Sequence, residues 1–362
     1  MEESKLITLG KSKLVPSVIE LAKQSIATPP LRYQKFDKEL PVLSNPTYTV
    51  PVIDMKKLLF GEDKDSELQK LHSACIEWGF LQLINHGVET ELIENVKQVL
   101  TDFFELPENE KRKYWQNENE IEGYGQAFIF SDEQKLDWAD MFFMTTRPVN
   151  KRKPHLFPKL PLPFQDTFNA YSTEVHNLAM TIFKIMEKVL HLEEKEITGL
   201  FEDGFQSMRM NYYPPCPQPE KVIGLAPHSD PVGLTVLLQV NGVEGLQIRR
   251  EDVWVPIDPL PNAFIVNIGD ILQIITNGLY RSIEHRAVVN SMKERLSIAT
   301  FCSPSFDSEM GPATSLVTQD SPALYKRINV EQYFKIFYAR KLDGKSYLDF
   351  MKTQNEKATS SP

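Results

Sequence analysis

The chain has 362 residues, of which 41% are hydrophobic and 25% charged, and its formal net charge is −9 at pH 7. This composition is typical of a globular protein with a large core. The acidic balance, without a run of basic residues, argues against a nucleic-acid partner, because phosphate contacts need clustered Lys and Arg. No apolar run approaches the roughly 20 residues of a membrane span, so we expect no membrane association.

The first residues and the cysteines bear on the cellular compartment. The sequence begins Met-Glu-Glu-Ser-Lys and lacks a basic region followed by an apolar stretch, so it does not resemble a secretory signal. Cys75, Cys216 and Cys302 lie far apart and make no zinc-binding pattern. A low, odd number of cysteines without an export signal fits a reducing compartment. We therefore expect a cytoplasmic protein without disulfides.

The first half of the sequence alternates helical and extended patterns. Apolar residues recur at three- and four-residue steps, as at Leu68, Leu71 and Cys75, and this period predicts a helix that Gly79 ends. The predicted elements are a helix around residues 18–22 with an extended arm to about residue 45, a strand over 49–54, a helix over 66–78, a strand and turn over 80–87, a helix over 92–104, an extended segment over 138–146 and a long helix over 164–191.

After about residue 205 the sequence changes to short β-rich runs separated by turns. Short strands at regular intervals predict a sandwich or barrel. The predicted strands cover 206–213, 234–240, 245–250, 253–257, 263–268, 281–289 and 295–302. A last helix is expected over about 330–340, and the polar segment 353–362 is expected to be disordered.

His228, Ser229 and Asp230, together with a distant His285, form a candidate metal site. Residues i and i+2 of a strand point to the same face, so His228 and Asp230 could reach one ion from one strand. His285 lies in a different predicted strand. Two imidazoles and one carboxylate can hold a metal on one face and leave the other open, as in non-haem Fe(II) oxygenases. A His-x-Asp pair alone occurs by chance in many proteins.

Two further polar pairs share this i, i+2 spacing: Arg295 with Ser297, and Asn211 with Tyr213. The guanidinium can grip a carboxylate through two parallel hydrogen bonds, and the hydroxyl, amide and phenol groups can add donors. Arg295 alone would more often be a surface ion-pair residue. Several same-face polar pairs in a β-rich region nevertheless favour a ligand site, because buried polar groups are costly without partners.

With these motifs the chain resembles the plant Fe(II)- and 2-oxoglutarate-dependent dioxygenases over about residues 15–350. Within that family the likeness is to the senescence-related dioxygenases and to the thebaine and codeine O-demethylases. The motif set is specific for the family and weakly specific for the substrate. The matching segments are Trp78-Gly79-Phe80, Asn85-His86-Gly87, Glu122-Gly123-Tyr124-Gly125-Gln126, Leu136-Asp137-Trp138-Ala139-Asp140, the Asn-Tyr-Tyr-Pro-Pro-Cys run at 211–216, His228-Ser229-Asp230 and Arg295-Leu296-Ser297.

The resemblance implies a role for each candidate residue. It implies that His228, Asp230 and His285 are the catalytic iron ligands, that Arg295 and Ser297 hold the far carboxylate of 2-oxoglutarate, and that Tyr213 and Asn211 are its other donors. It also places Phe301, Phe143 and Met141 in walls of the substrate pocket, although ordinary core packing explains these three equally well.

The resemblance also implies a mainly β fold with flanking helices around a double-stranded β-helix, or jelly-roll, core. We expect an N-terminal helix and arm over 1–50, a helical and strand extension over 51–203, the dioxygenase core over 204–305, and a C-terminal helix and tail over 306–362. The C-terminal helix is expected to help close the pocket, and the protein is expected to be a monomer.

The implied cofactors are Fe(II), 2-oxoglutarate as co-substrate and O2, with ascorbate in support. The expected reaction is hydroxylation or O-demethylation of a small plant specialised metabolite, such as an alkaloid, flavonoid or phenolic. One alternative is a non-catalytic metal or small-molecule binding module on the same fold. A metal hydrolase with the same three ligands is another, but it leaves Arg295, Ser297, Asn211 and Tyr213 unexplained.

Overall fold

The computed structural model describes residues 12–24, 26–35, 49–118, 120–159, 161–339 and 345–353. About half of the predicted arm and nearly all of the predicted disordered tail lie outside these residues. The helices are α1 (Val18–Ala22), α2 (Met55–Phe60), α3 (Lys64–Glu77), α4 (Thr90–Glu105), α5 (Glu108–Lys111), α6 (Phe164–Val189), α7 (Thr198–Phe201), α8 (Asp270–Ile275) and α9 (Val330–Tyr338).

The strands of the described chain run as follows. They are β1 (Val52–Asp54), β2 (Phe80–Ile84), β3 (Gly123–Gly125), β4 (Asp140–Arg147), β5 (Phe205–Tyr213), β6 (Leu225–His228), β7 (Leu234–Gln239), β8 (Leu246–Arg250), β9 (Val253–Pro256), β10 (Phe264–Ile268), β11 (His285–Ala287), β12 (Arg295–Ser303), β13 (Glu309–Met310) and β14 (Ile328–Asn329).

Two sheets form the core. The larger has the strand order β1-β2-β10-β7-β12-β5-β4-β3, and the smaller has the order β6-β11-β8-β9. Only β1 and β2 pair in parallel among the strands of these two sheets in the described chain. The predicted jelly-roll core with helices around it is confirmed.

Helix α6 covers the outer face of the larger sheet. Its buried residues follow a helical period, and they include Tyr171, Val175 and Ile182. The ring of Tyr171 lies 6.4 Å from that of Phe264 on β10. Because the outer face is closed by this packing, the opposite faces of the central strands point into the barrel and are available for a site.

The prediction for residues 281–289 is wrong for most of its length, because only His285–Ala287 forms a strand. The preceding residues 281–284 form no regular element, and the backbone N–H of Arg281 bonds to Cys75 O on α3. Helix α8 itself was not predicted: its six residues are short and mostly buried, so no amphipathic period distinguishes it from a strand.

Helix α1 is held against the barrel by a buried carboxylate. Asp140, at the start of β4, accepts hydrogen bonds from the backbone N–H groups of Val18 and Ile19 and from the Ser17 hydroxyl. The segment after residue 11 is thereby joined to β4. Within the described part of the chain, no helix is both long and apolar enough to cross a membrane.

Candidate active site

The three candidate metal ligands converge inside the barrel. His228 ends β6, His285 begins β11, and the two residues are paired in the smaller sheet. The Nε2 atoms of His228 and His285 lie 3.5 and 3.7 Å from Asp230 Oδ1. All three residues are buried, and no other group of three His, Cys, Asp or Glu residues in the described chain brings its ligand atoms together in this way.

Asp230 does not share a strand with His228, contrary to the prediction. Strand β6 ends at His228, and Asp230 lies in the loop that follows. The backbone carbonyl of Asp230 accepts a hydrogen bond from the N–H of Asp270, the first residue of α8. Asp230 therefore reaches the two histidines from a loop that is hydrogen-bonded to α8. The prediction that His285 comes from a different strand is confirmed.

Hydrogen bonds set the orientation of both imidazoles. His228 Nδ1 lies 2.8 Å from Ala226 O, and His285 Nδ1 lies 3.1 Å from Ile283 O. Because a backbone carbonyl can only accept, each Nδ1 carries the proton and each Nε2 presents its lone pair toward Asp230. This is the tautomer that can donate to a metal.

The carboxylate of Asp230 is oriented by two residues that sequence reasoning missed. Its Oδ2 accepts hydrogen bonds from Thr235 Oγ1 at 2.6 Å and Asn267 Nδ2 at 2.8 Å, which leaves Oδ1 facing the imidazoles. Thr235 and Asn267 are cross-strand partners on β7 and β10. A polar residue inside the apolar run of β10 was a usable signal, since such residues need a buried partner.

The electrostatics favour the metal-binding protonation states. Burial acts to raise the pKa of Asp230, but His285, His228 and the Thr235 hydroxyl outweigh it and hold this pKa well below its usual range. Burial lowers the pKa of His285 to about 4; His228 adds to the shift and Asp230 opposes it. A carboxylate and neutral imidazole are the forms that metals bind, and this donor set suits Fe(II).

The four candidate co-substrate residues form one cluster across β5 and β12. Arg295 is the cross-strand partner of Tyr213, and Ser297 is that of Asn211. The Arg295 guanidinium lies over the Tyr213 ring, 5.2 Å from its centroid. It donates to Gln239 Oε1 at 2.8 Å, and Asn211 Nδ2 lies 3.4 Å from Ser297 Oγ. The predicted pairs therefore lie side by side.

Arg295 is buried without an acidic partner. It is 2% exposed, its Nε has no hydrogen-bond partner, and no carboxylate among the described residues pairs with it. Burial lowers its pKa, and Tyr213 opposes that shift. A buried cation without an anion is costly, so this cluster fits the carboxylate end of a ligand such as 2-oxoglutarate.

Two glycines make room for this cluster. A Cβ at Gly245 would lie 2.7 Å from Arg295 Cδ, and a Cβ at Gly224 would lie 2.7 Å from Tyr213 Cδ1. Any larger residue would displace these side chains. Gly224 and Gly245 are thus part of the site although they offer no side-chain group.

Two cavities meet at the candidate metal site. The first holds the co-substrate cluster, and the second is largely apolar and open to solvent. Both are lined by Arg209, His228, Asp230 and Phe301. A metal held by the three ligands would therefore face both a co-substrate and a second molecule.

The three candidate substrate residues line the apolar cavity. Met141 and Phe143 come from β4 and Phe301 from β12, and the Phe143 and Phe301 rings lie 6.5 Å apart. Helix α9 closes the cavity on another side, as expected for the C-terminal helix; it contributes the aromatic residues Phe334, Phe337 and Tyr338.

Two family models match this chain. The model of the 2OG-Fe(II) oxygenase superfamily matches residues 204–304, and that of the non-haem dioxygenase in morphine synthesis N-terminal region matches residues 50–160. The chain belongs to the 2OG-Fe(II) oxygenase superfamily. It is thus an oxidoreductase that uses Fe(II), 2-oxoglutarate and O2.

Proteins similar to this oxygenase match over nearly their whole length. Codeine O-demethylase of Papaver somniferum is 55% identical over 97% of this chain and 100% of that protein. Protein SRG1 of Arabidopsis thaliana is 54% identical over 97% and 99%. Oxoglutarate-dependent flavonoid 7-O-demethylase 1 of Ocimum basilicum is 52% identical over 98% and 95%. The predicted family resemblance is therefore confirmed.

A solved structure supports the same assignment. The crystal structure of JOX2 in complex with 2OG, Fe and JA is 35% identical to this oxygenase, with a TM-score of 0.84 over 94% of this chain and 98% of that one. It shares the jelly-roll fold. The boundaries of the four predicted segments stay a prediction.

Proposed function

We propose that this oxygenase hydroxylates or O-demethylates a small plant specialised metabolite, such as an alkaloid, flavonoid or phenolic. The observation that carries the proposal is the apolar cavity that shares His228 and Asp230 with the co-substrate cavity. The names of two relatives, codeine O-demethylase and flavonoid 7-O-demethylase 1, support a methoxylated aromatic substrate.

The proposal gives each polar residue of the site a role. His228, Asp230 and His285 would hold the iron, Arg295 and Ser297 would hold the far carboxylate of 2-oxoglutarate, and Tyr213 and Asn211 would donate further hydrogen bonds to it. Bound iron and 2-oxoglutarate supply the activation of O2 that oxidises a substrate C–H bond. Thr235 and Asn267 keep Asp230 Oδ1 directed at the metal position.

The apolar residues would orient the substrate and exclude water. Met141, Phe143 and Phe301 form one wall, and the aromatic residues of α9 form another. A flat aromatic molecule between these walls would direct one substituent at the metal face. When that substituent is a methoxyl group, insertion of oxygen gives a hemiacetal that separates into a phenol or alcohol and formaldehyde.

A panel of methoxylated flavonoids, alkaloids and simple phenolics tests this function. Purified protein with Fe(II), 2-oxoglutarate and ascorbate should form succinate with at least one of them, and product mass should show gain of oxygen or loss of CH2. Equal amounts of succinate and product are expected. A protein that binds 2-oxoglutarate but turns over no member of the panel would instead support the binding-module alternative. Product formed without O2 or 2-oxoglutarate would indicate a hydrolase.

A further inference from the structure

Arg209 occupies the middle of the barrel's inner face. On β5 it shares its face with Asn211 and lies two residues along the strand from the Asn211–Ser297 pair. Its own partners are Phe143 on β4 and Ala299 on β12. It therefore lies between the co-substrate cluster and the apolar cavity.

The guanidinium of Arg209 has no partner within the described chain. Its Nε is buried and unpaired, and no described residue accepts a hydrogen bond from its side chain or forms an ion pair with it. Arg295 at least donates to Gln239, and Arg286 to Gln247. Arg209 thus differs from both of these neighbouring buried arginines.

The surroundings of Arg209 indicate that a ligand group meeting it would be an anion. Apart from His228 and Asp230, it is the only charged residue that lines the apolar cavity in the described structure. Asp230 already accepts hydrogen bonds from Thr235 and Asn267 and faces the imidazoles. A cation among apolar walls costs free energy unless an acceptor approaches it.

A third, more polar cleft also reaches Arg209. It shares Arg209, Met141, Ala127 and Phe128 with the apolar cavity. The rest of its lining includes the polar and charged residues Lys35, Gln126, Glu133, Gln134, Lys135 and Asp137. A molecule with one apolar and one polar end could therefore extend from the metal face past Arg209 into this cleft.

We propose that Arg209 is a specificity-determining residue that binds an anionic oxygen of the substrate, a carboxylate or an ionised phenol. The inference rests on the proposed function and narrows its substrate class: an apolar aromatic body occupies the apolar cavity while the acidic group meets Arg209. The guanidinium fork matches such an oxygen through charge-assisted hydrogen bonds.

The test compares an acid with its ester on the same skeleton. We would titrate 4-methoxycinnamate and methyl 4-methoxycinnamate into the anaerobic Fe(II)- and 2-oxoglutarate-loaded protein by calorimetry. The acid should bind on the order of tenfold to a hundredfold more tightly than the ester, the range expected for charge-assisted hydrogen bonds to a half-buried guanidinium. Arg209→Gln should remove this difference, and Arg209→Lys should keep part of it.

Arg147→Gln is the matched control, because it removes a positive charge from the end of β4 and Arg147 lines none of the three cavities. It should keep the preference for the acid. Equal binding of acid and ester by the wild type, or binding of neither, would overturn the proposal. So would an Arg209→Gln protein whose affinity for 2-oxoglutarate falls as far as its affinity for the acid. Succinate formation by the wild type tests the proposed function separately.

Discussion

The two ends of the barrel's inner face are built in different ways. At the co-substrate end, Arg295, Ser297, Asn211 and Tyr213 are cross-strand partners on two adjacent strands. At the substrate end, the walls come from β4, β12 and the distant helix α9. Polar groups at the first end are fixed by specific hydrogen bonds, whereas side chains at the second end are fixed by packing alone. The difference teaches that cross-strand register positions the candidate co-substrate residues, whereas the candidate substrate walls also require α9 to pack over the sheet.

We therefore expect substitutions at the co-substrate end to cause large losses of affinity, and substitutions at the substrate end to cause smaller ones. Removing one partner of a buried polar pair leaves the other unsatisfied. Exchanging apolar residues of similar volume usually costs less than about 1.5 kcal/mol. The following variants test both halves of this expectation.

Arg295→Leu should have the largest effect. It removes the buried cation proposed to hold the far carboxylate, a loss on the order of 2–5 kcal/mol. The concentration of 2-oxoglutarate needed for half-maximal succinate formation should rise by about 30-fold or more. An unchanged requirement would mean that Arg295 is only structural.

Thr235→Val should weaken iron binding. The variant keeps the shape of the side chain and removes one of the two hydrogen bonds to Asp230 Oδ2. Loss of such a partner lowers metal affinity by about 10- to 100-fold, which a competitive chelator titration measures. Thr300→Val is the control. This threonine is also buried, but it lies on the face of β12 opposite to that of Phe301, which lines the site. Equal loss in both variants would argue against a specific role for Thr235.

Gly245→Ala should perturb the co-substrate end with a smaller effect. The added methyl group would meet Arg295 Cδ at 2.7 Å and Val288 O at 2.8 Å, and overpacking of this kind costs about 1–3 kcal/mol. We expect a 2-oxoglutarate requirement raised about tenfold. Gly242→Ala, which meets no atom within 4 Å, should behave as the wild type. Identical kinetics for both variants would show that the site tolerates displacement of Arg295.

Phe337→Leu should have the smallest effect. It makes a wall contributed by α9 smaller, a large-to-small change whose cost depends on how far the surrounding side chains can close the gap. Looser packing around the substrate should raise the ratio of succinate to product while the affinity for 2-oxoglutarate stays unchanged. A loss of 2-oxoglutarate affinity would break the separation between the two ends.

The grouping of the polar residues on strand faces was easier to predict from the sequence than the position of the short helix α8, for a physical reason. The spacing of Arg295 and Ser297 on one strand face is readable because a strand repeats every two residues. Long helices such as α6 were predicted from their period, but the short, mostly buried α8 was not. Because α8 is hydrogen-bonded to the loop that carries Asp230, the prediction that His228 and Asp230 lie on one strand was also wrong.

Residues that act only through tertiary contacts could not be predicted from the sequence. Arg209 looks ordinary in the sequence, and only the cavities around it and its missing partner distinguish it. The aromatic residues of α9 likewise gain meaning only once the helix packs over the cavity. Polar side chains at a fixed spacing can be recognised in one sequence, whereas the shape of a pocket depends on how separate elements pack.

We propose that His228, Asp230 and His285 hold iron beside a separate binding site for 2-oxoglutarate at Arg295. Anaerobic binding of Fe(II) and 2-oxoglutarate to the wild type, Asp230→Ala and Arg295→Leu proteins tests it most directly. The wild type should bind both, Asp230→Ala should lose the iron, and Arg295→Leu should retain the iron but bind 2-oxoglutarate weakly. An Asp230→Ala protein that binds Fe(II) as tightly as the wild type would contradict the account.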